Sequence, residues 1–186
     1  MPVHAPKRLF TVSEFYQMAD AGIFSEDDRV ELLAGEIVER SPIGSRYASC
    51  VDRLARSLHQ QAGSSLIVRT QSPIRLDDHS EPQPDVAVIR FREDFYRDAH
   101  PGPADVLLIV EVADTSADVD RGVKVPLYAR AAIPEVWVVD LSSRHVDVYQ
   151  EPHRDGYRQH RRISPGDQLT SVSVPVLGLP VADVLA

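Results

Sequence analysis

The sequence predicts an α/β fold in which helices flank a mixed β-sheet, and three observations carry that prediction. Residues 45–61 set Cys50, Val51, Leu54, Ala55 and Leu58 at helical spacing, the pattern of a helix with one apolar face. The runs 105–112 and 135–140 are apolar with little polar alternation, as in strands buried on both faces. Helical and strand-like segments interleave, so a layered sheet with helices packed on it is the economical arrangement. At 186 residues and 43% hydrophobic content, the chain can fill one core, and it reads as one domain over 1–186.

Taken in order, Thr11-Val-Ser-Glu14 is a capping box, and Gly22 follows as a stop, so a first helix is expected over about 12–21. Residues 29–40 carry two short apolar runs around Ala34-Gly35, a hairpin with Gly35 at the turn. Ser41-Pro-Ile-Gly44 breaks the chain before the amphipathic helix of 45–61. Strand-like runs follow at Leu66–Thr70, Pro73–Leu76 and Pro84–Ile89, with a turn at Asp77-Asp-His-Ser80, and then the buried run 105–112. Thr115-Ser-Ala-Asp118 resembles a second capping box opening a helix to about Ala131. Pro126 must then lie near a first turn or kink that helix. The strand 135–140 and a hairpin around Arg154-Asp-Gly156 complete the order, and the apolar end 177–186 is expected to pack on the body.

Composition narrows the function. No apolar run approaches the roughly 20 residues of a membrane helix. The polar start has no signal-peptide core, and a cytoplasmic location is expected. Cys50 is the only cysteine, which excludes an internal disulfide and a cysteine-built zinc site; on a helix it reads as a buried, inert thiol. The net charge of −8 opposes a plain nucleic-acid binder, though not an enzyme that meets nucleic acid through a metal or a local patch. Among 20 basic residues only Lys7 and Lys124 are lysines. A compact ammonium inside an arginine-rich chain is chemically distinct from its neighbours.

Three side chains are unusual for where they stand. Asp85 opens an apolar strand directly after Pro84, Glu111 sits near the end of the most apolar strand, and Lys124 lies on the helix that follows. A carboxylate in a buried strand is costly unless paired or bound to metal. Two carboxylates on adjacent strands can share a hard cation, and a nearby ammonium can stabilise a phosphate or orient water. Glu31 and Glu36 both lie in the first hairpin; Glu31 is the one expected to face the site. Asp120, four residues before Lys124, shares its helix face. Trp137 reads as core, and His153 and His160 as solvated histidines beside a turn, because their spacing matches no metal pattern.

Five segments together resemble the Uma-type restriction-endonuclease family of the PD-(D/E)XK nuclease superfamily. They are residues 28–38 with Ser41-Pro42, 81–88 (Glu-Pro-Gln-Pro-Asp-Val-Ala-Val), 110–112, 120–130 and 133–140. The resemblance covers nearly the whole chain and implies a restriction-endonuclease-like core. Pro84-Asp85 takes the family's "PD" position and Glu111 its acidic position. Two residues beyond Glu111 the superfamily usually has lysine; this chain has Ala113, and the lysine migrates to the next helix, at Lys124. Tyr47 stands where the family tends to have histidine.

The resemblance thus implies a Mg²⁺- or Mn²⁺-dependent endonuclease acting on DNA. Asp85, Glu111 and the Val112 carbonyl would hold the metal, Lys124 would act on water or phosphate, and Glu31 would support it. A homodimer is expected because cutting a duplex needs two active sites. Arg46, Arg53, Arg56 and Arg121 are expected around the cleft. Two alternatives stand beside this: a catalytically inactive nuclease-fold binding or regulatory module, and a carboxylate-pair glycosidase.

Overall fold

The computed structural model describes residues 7–25, 27–114 and 120–186. The expected Thr115–Asp118 capping box lies outside the described residues. Helix α1 (Val12–Asp20) begins at Thr11, whose hydroxyl accepts from the Glu14 N–H while Glu14 accepts from the Thr11 N–H. Strands β1 (Val30–Leu33) and β2 (Glu36–Glu39) form an antiparallel hairpin that turns at Ala34-Gly35. Gly35 has φ +79°, and a Cβ there would sit 2.6 Å from the Leu9 Cβ, so both conformation and space require glycine. Helix α2 (Ser45–Ala62) buries Cys50, Val51, Leu54, Leu58 and Ala62 against the sheet.

The main sheet has six strands in the order β3-β4-β5-β6-β7-β8. These are β3 (Leu66–Thr70), β4 (Val86–Arg90), β5 (Val106–Ala113), β6 (Glu135–Asp140), β7 (His145–His153) and β8 (Gly156–Ile163). Only β5 and β6 pair in parallel; the other neighbours are antiparallel, so the sheet is mixed. The parallel pair needs a crossover, and the segment holding Lys124 supplies its described part. Two cores lie on opposite faces. One is α2 and the C-terminal segment against Val86, Val110 and Trp137. The other is Val125, Leu127 and Tyr128 against Ile109, Val136 and Val138.

Three elements differ from the sequence expectation. Pro73–Leu76 is extended but joins no ladder: its N–H groups at Ile74, Arg75 and Leu76 go to the loop carbonyls of Pro82, Pro101 and Ser80. The helix expected to Ala131 is, in its described part, a π-helical turn (Asp120–Lys124) followed by a short α3 (Val125–Arg130). Pro126 therefore falls in the first turn of α3, where its missing N–H does no harm. The apolar end packs on the body as expected, but it does so through a small hairpin, β9 (Gln168–Thr170) with β10 (Gly178–Pro180), and a last turn α4 (Val181–Val184). Glu135 anchors this segment, accepting from Ser171 Oγ and the Val172 and Ser173 N–H groups as well as from Trp137 Nε1.

Candidate active site

Strand register brings the two carboxylates together. Val86 pairs with Val110, so Asp85 stands one step beyond that ladder, beside Glu111. Both residues share the phase of Ala87 and Ile109 and so face the α3 side of the sheet. Ala113 O accepts from the Leu141 N–H toward β6; alternation turns the Val112 N–H and C=O the other way, toward β4. The Val112 N–H there donates to Asp85 Oδ2 at 2.7 Å.

The remaining groups arrive from other elements. Lys124, at the end of the π turn, puts Nζ 3.0 Å from Glu31 Oε1 and 3.4 Å from Glu111 Oε1, with its side chain 6% exposed. Glu31 comes from β1, and its second oxygen accepts from the Gln83 N–H at 3.0 Å. Glu36, the other hairpin candidate, is instead exposed and paired with Lys7. Arg40, just past β2, donates to Asp85 Oδ1 at 3.0 Å, and the Tyr47 hydroxyl from α2 donates to the same oxygen. Tyr128, one turn beyond Lys124, donates to Glu111 Oε1 at 2.6 Å. Asp120 is buried and lines the same cavity, a space of about 340 Å³ that Arg29, Ser41, Pro42 and Asp114 also border.

Charge is unbalanced here. Glu31, Asp85, Glu111 and Asp120 are four buried carboxylates facing the half-buried Arg40 and the buried Lys124. Burial pushes the Glu111 carboxyl up to about 8; Lys124 opposes that rise and the Asp85 charge adds to it. Burial also raises Asp85, against the donors Tyr47 and Val112 and the charges of Lys124 and Arg40. Burial disfavours the Lys124 ammonium, but Glu111, Glu31, Asp120 and Asp85 outweigh it and hold its pKa above the ordinary lysine value. Lys124 therefore stays charged at neutral pH. Burial and the adjacent carboxylates likewise raise the Tyr47 and Tyr128 hydroxyls, so both remain donors.

Two carboxylates, a strand carbonyl and room for water form a donor set that suits a hard divalent cation, and the excess negative charge suits it as well. The set is not preformed: among the described residues no three histidine, cysteine, aspartate or glutamate side chains are arranged to hold a metal. Asp85 and Glu111 instead contact Arg40 and Lys124.

A family model described as "Putative restriction endonuclease", Uma2, matches residues 12–182. The chain belongs to the Uma2 family. No curated protein matches it. A crystal structure of a protein described as a "putative nuclease" of DUF820, from Anabaena variabilis ATCC 29413, superposes with a TM-score of 0.76 at 13% identity. It covers 95% of this chain and 97% of that one, and at that identity the likeness speaks for the fold.

Within this Uma2 chain, Asp85, Glu111, Lys124 and Glu31 gather in one cavity. Sequence reasoning missed Arg40, Tyr128 and the contact made by Tyr47. A signal existed for two of them. Glu31 pairs with Val38, so Arg40, two residues on, shares the Glu31 face of the hairpin. Tyr128 is four residues from Lys124.

Of the four arginines expected around the cleft, Arg46 reaches its edge and the other three go elsewhere. Arg46 donates to Leu141 O and lies 3.5 Å from Asp114. Arg53 binds carbonyls of the C-terminal segment, including Asp183 O at 3.1 Å, and Arg56 is exposed on α2. Arg121 pairs with Asp140 and Asp147 at 2.8 Å each. Carbonyls of the C-terminal segment captured Arg53 and two buried carboxylates captured Arg121; Arg29 and Arg40 line the cavity itself. His160 is exposed as expected, and it also stacks on Tyr149 and reaches Asp147 at 3.0 Å. Trp137 is core, and burial raises the Cys50 thiol to about 11, consistent with an inert group.

Proposed function

We propose that the protein is a divalent-metal-dependent nuclease that hydrolyses phosphodiester bonds of DNA in this cavity. The observation that carries the reading is the convergence of Asp85, Glu111, Glu31 and Lys124 from four separate elements, with the Lys124 ammonium between two carboxylates. Asp85, Glu111 and the Val112 carbonyl would hold Mg²⁺ or Mn²⁺. Such an ion, when bound, polarises a phosphoryl oxygen and makes its water more acidic.

The chain's own residues do the rest. Lys124 stays protonated, so it serves as a positive charge toward a phosphate oxygen or an attacking water and not as a base. Glu31 holds that ammonium in place and is itself fixed by the Gln83 N–H. Tyr128 fixes the rotamer of Glu111, and Tyr47 that of Asp85. In the reaction a water oxygen bonds to phosphorus, the ester P–O bond breaks, and the water proton reaches the leaving oxygen through solvent. The active form is a homodimer on this reading, each copy cutting one strand.

Plasmid DNA incubated with the purified protein and Mg²⁺ or Mn²⁺ tests this. Cutting is expected, EDTA stops it, and Asp85→Asn removes it while leaving the circular dichroism spectrum and Tm intact. The second reading is a catalytically inactive binding module. It is favoured by Ala113 in the usual lysine position and by carboxylates already paired with cations. A wild-type protein that binds no divalent metal at millimolar concentration and cuts neither DNA nor RNA would establish that module instead.

A further inference from the structure

We propose that Arg40 is an exchangeable countercation: it neutralises Asp85 while no metal is bound, and on metal binding it turns to grip a phosphate of the substrate. The inference rests on the metal-dependent nuclease reading above. Its starting point is an occupied ligand. Asp85 Oδ2 takes the Val112 N–H, and Oδ1 takes both the Arg40 guanidinium and the Tyr47 hydroxyl. A metal approaching Oδ1 must therefore displace a donor. Tyr47 is neutral and is also held by Gln71 Nε2 at 2.9 Å, so it is the one that can remain. Arg40 carries charge, and a guanidinium and a dication on one carboxylate repel each other.

Arg40 is suited to gripping phosphate once it leaves Asp85. Its side chain is only 10% exposed, yet it lines the cavity, so a displaced guanidinium stays in the space the substrate would enter. Its hydrogen bond to Gln83 Oε1 is long, at 3.4 Å, and restrains the head group little. Guanidinium matches phosphate oxygens bidentately, and a phosphate brought in beside the metal supplies the negative charge that Arg40 loses at Asp85. Lys124 is placed differently: with Glu31 it keeps a carboxylate outside the proposed metal set, so it has a partner whether or not the metal is there.

Calorimetric titration with Mn²⁺, together with fluorescence anisotropy of a short DNA duplex in Ca²⁺ at several salt concentrations, tests the exchange. The proteins compared are the wild type, Arg40→Met and Arg40→Lys. Arg40→Met is expected to bind Mn²⁺ about tenfold tighter, because a charge that competes for Asp85 is gone. The same variant is expected to bind DNA about tenfold more weakly, with a salt slope smaller by about 0.9, the loss of one phosphate contact. Arg40→Lys keeps the charge but not the fork, so Mn²⁺ affinity stays near wild type while DNA binding weakens. A folded Arg40→Met with Mn²⁺ affinity at or below wild type overturns the proposal, as does an unchanged DNA affinity and slope. If Arg40→Met fails to fold, Arg40→Lys decides by its DNA affinity alone, and no weakening sinks the idea. A wild type that binds no Mn²⁺ identifies the nuclease reading as the failure before any variant is made, and the exchange falls with it.

Discussion

Glu111→Gln isolates the electrostatics of the site from its chemistry. Glu111 is 1% exposed and its carboxyl is pushed up to about 8 from an ordinary 4.5, burial being the main cause. Between those values the folded protein holds a proton that the unfolded chain has released. The stability linked to this proton is therefore full below about pH 4.5 and is lost as pH rises through about 8. At 1.36 kcal/mol per unit, the loss from pH 5 to pH 8 is on the order of 3 kcal/mol. Glutamine resembles the protonated acid in size and can still accept from the Tyr128 hydroxyl. The two proteins should thus be equally stable near pH 5, and the variant should be the more stable at pH 8. For a chain of this size the gap at pH 8 is about 6–12 °C in Tm. Thermal and urea denaturation in EDTA, at pH steps from 5 to 9, reads it directly. Asp85 is coupled to Glu111 and shifts between the two proteins, whereas carboxylates away from the cavity titrate alike in both and cancel. Parallel stability curves for wild type and variant across that range would refute the claim that Glu111 is a strained buried carboxyl.

The other predictions concern single contacts. Lys124→Arg keeps the charge but cannot fit a larger guanidinium between Glu31 and Glu111, so cleavage in the plasmid assay should fall at least about 10²-fold. Circular dichroism measured alongside separates that loss from unfolding. Gly35→Ala places a Cβ against Leu9 at positive φ and should destabilise the protein by about 1–3 kcal/mol in urea; an unchanged midpoint would mean the N-terminal segment simply moves aside. The Asp140 carboxyl is held at about 2, below its ordinary 3.8; burial works against this, but the Ser143 N–H, Arg121 and Ser142 outweigh it. That stability is present above pH 3.8 and lost as pH falls through about 2. Asp140→Asn should therefore be less stable than wild type by about 1–2 kcal/mol at neutral pH, with the gap closing on acidification.

Local rules are legible where local chemistry decides. The Thr11–Glu14 capping box, the Ala34-Gly35 turn and the apolar face of α2 follow from side chains within one or two turns of one another, and the structure has all three. Pro73–Leu76 reads as a strand because propensity does not record whether a neighbour is available to pair; here loop carbonyls took its N–H groups. The π turn before α3 is hidden for a related reason: Asp120–Lys124 carries no local signal that distinguishes a π from an α turn. The arginines illustrate the same limit, since a long side chain goes to whichever carboxylate or carbonyl lies within reach, as Arg53 does to the C-terminal carbonyls.

The sequence by itself determined the interleaved helices and strands, the mixed α/β class, the Uma2 family pattern, and the oddness of Asp85, Glu111 and Lys124 in apolar surroundings. Those are properties of residue type and spacing. The sequence also favoured Glu31 over Glu36, and tertiary structure set Glu31 against Lys124; it alone decided that Tyr128 and Tyr47 fix the two carboxylates and that Arg40 occupies Asp85. The physical reason is that the charge state of this site comes from desolvation and from partners distant in sequence, as Lys124 is from Glu31. The Glu111 carboxyl is pushed up only because the fold has buried it beside Asp85 and left Lys124, a single ammonium, to serve both Glu111 and Glu31.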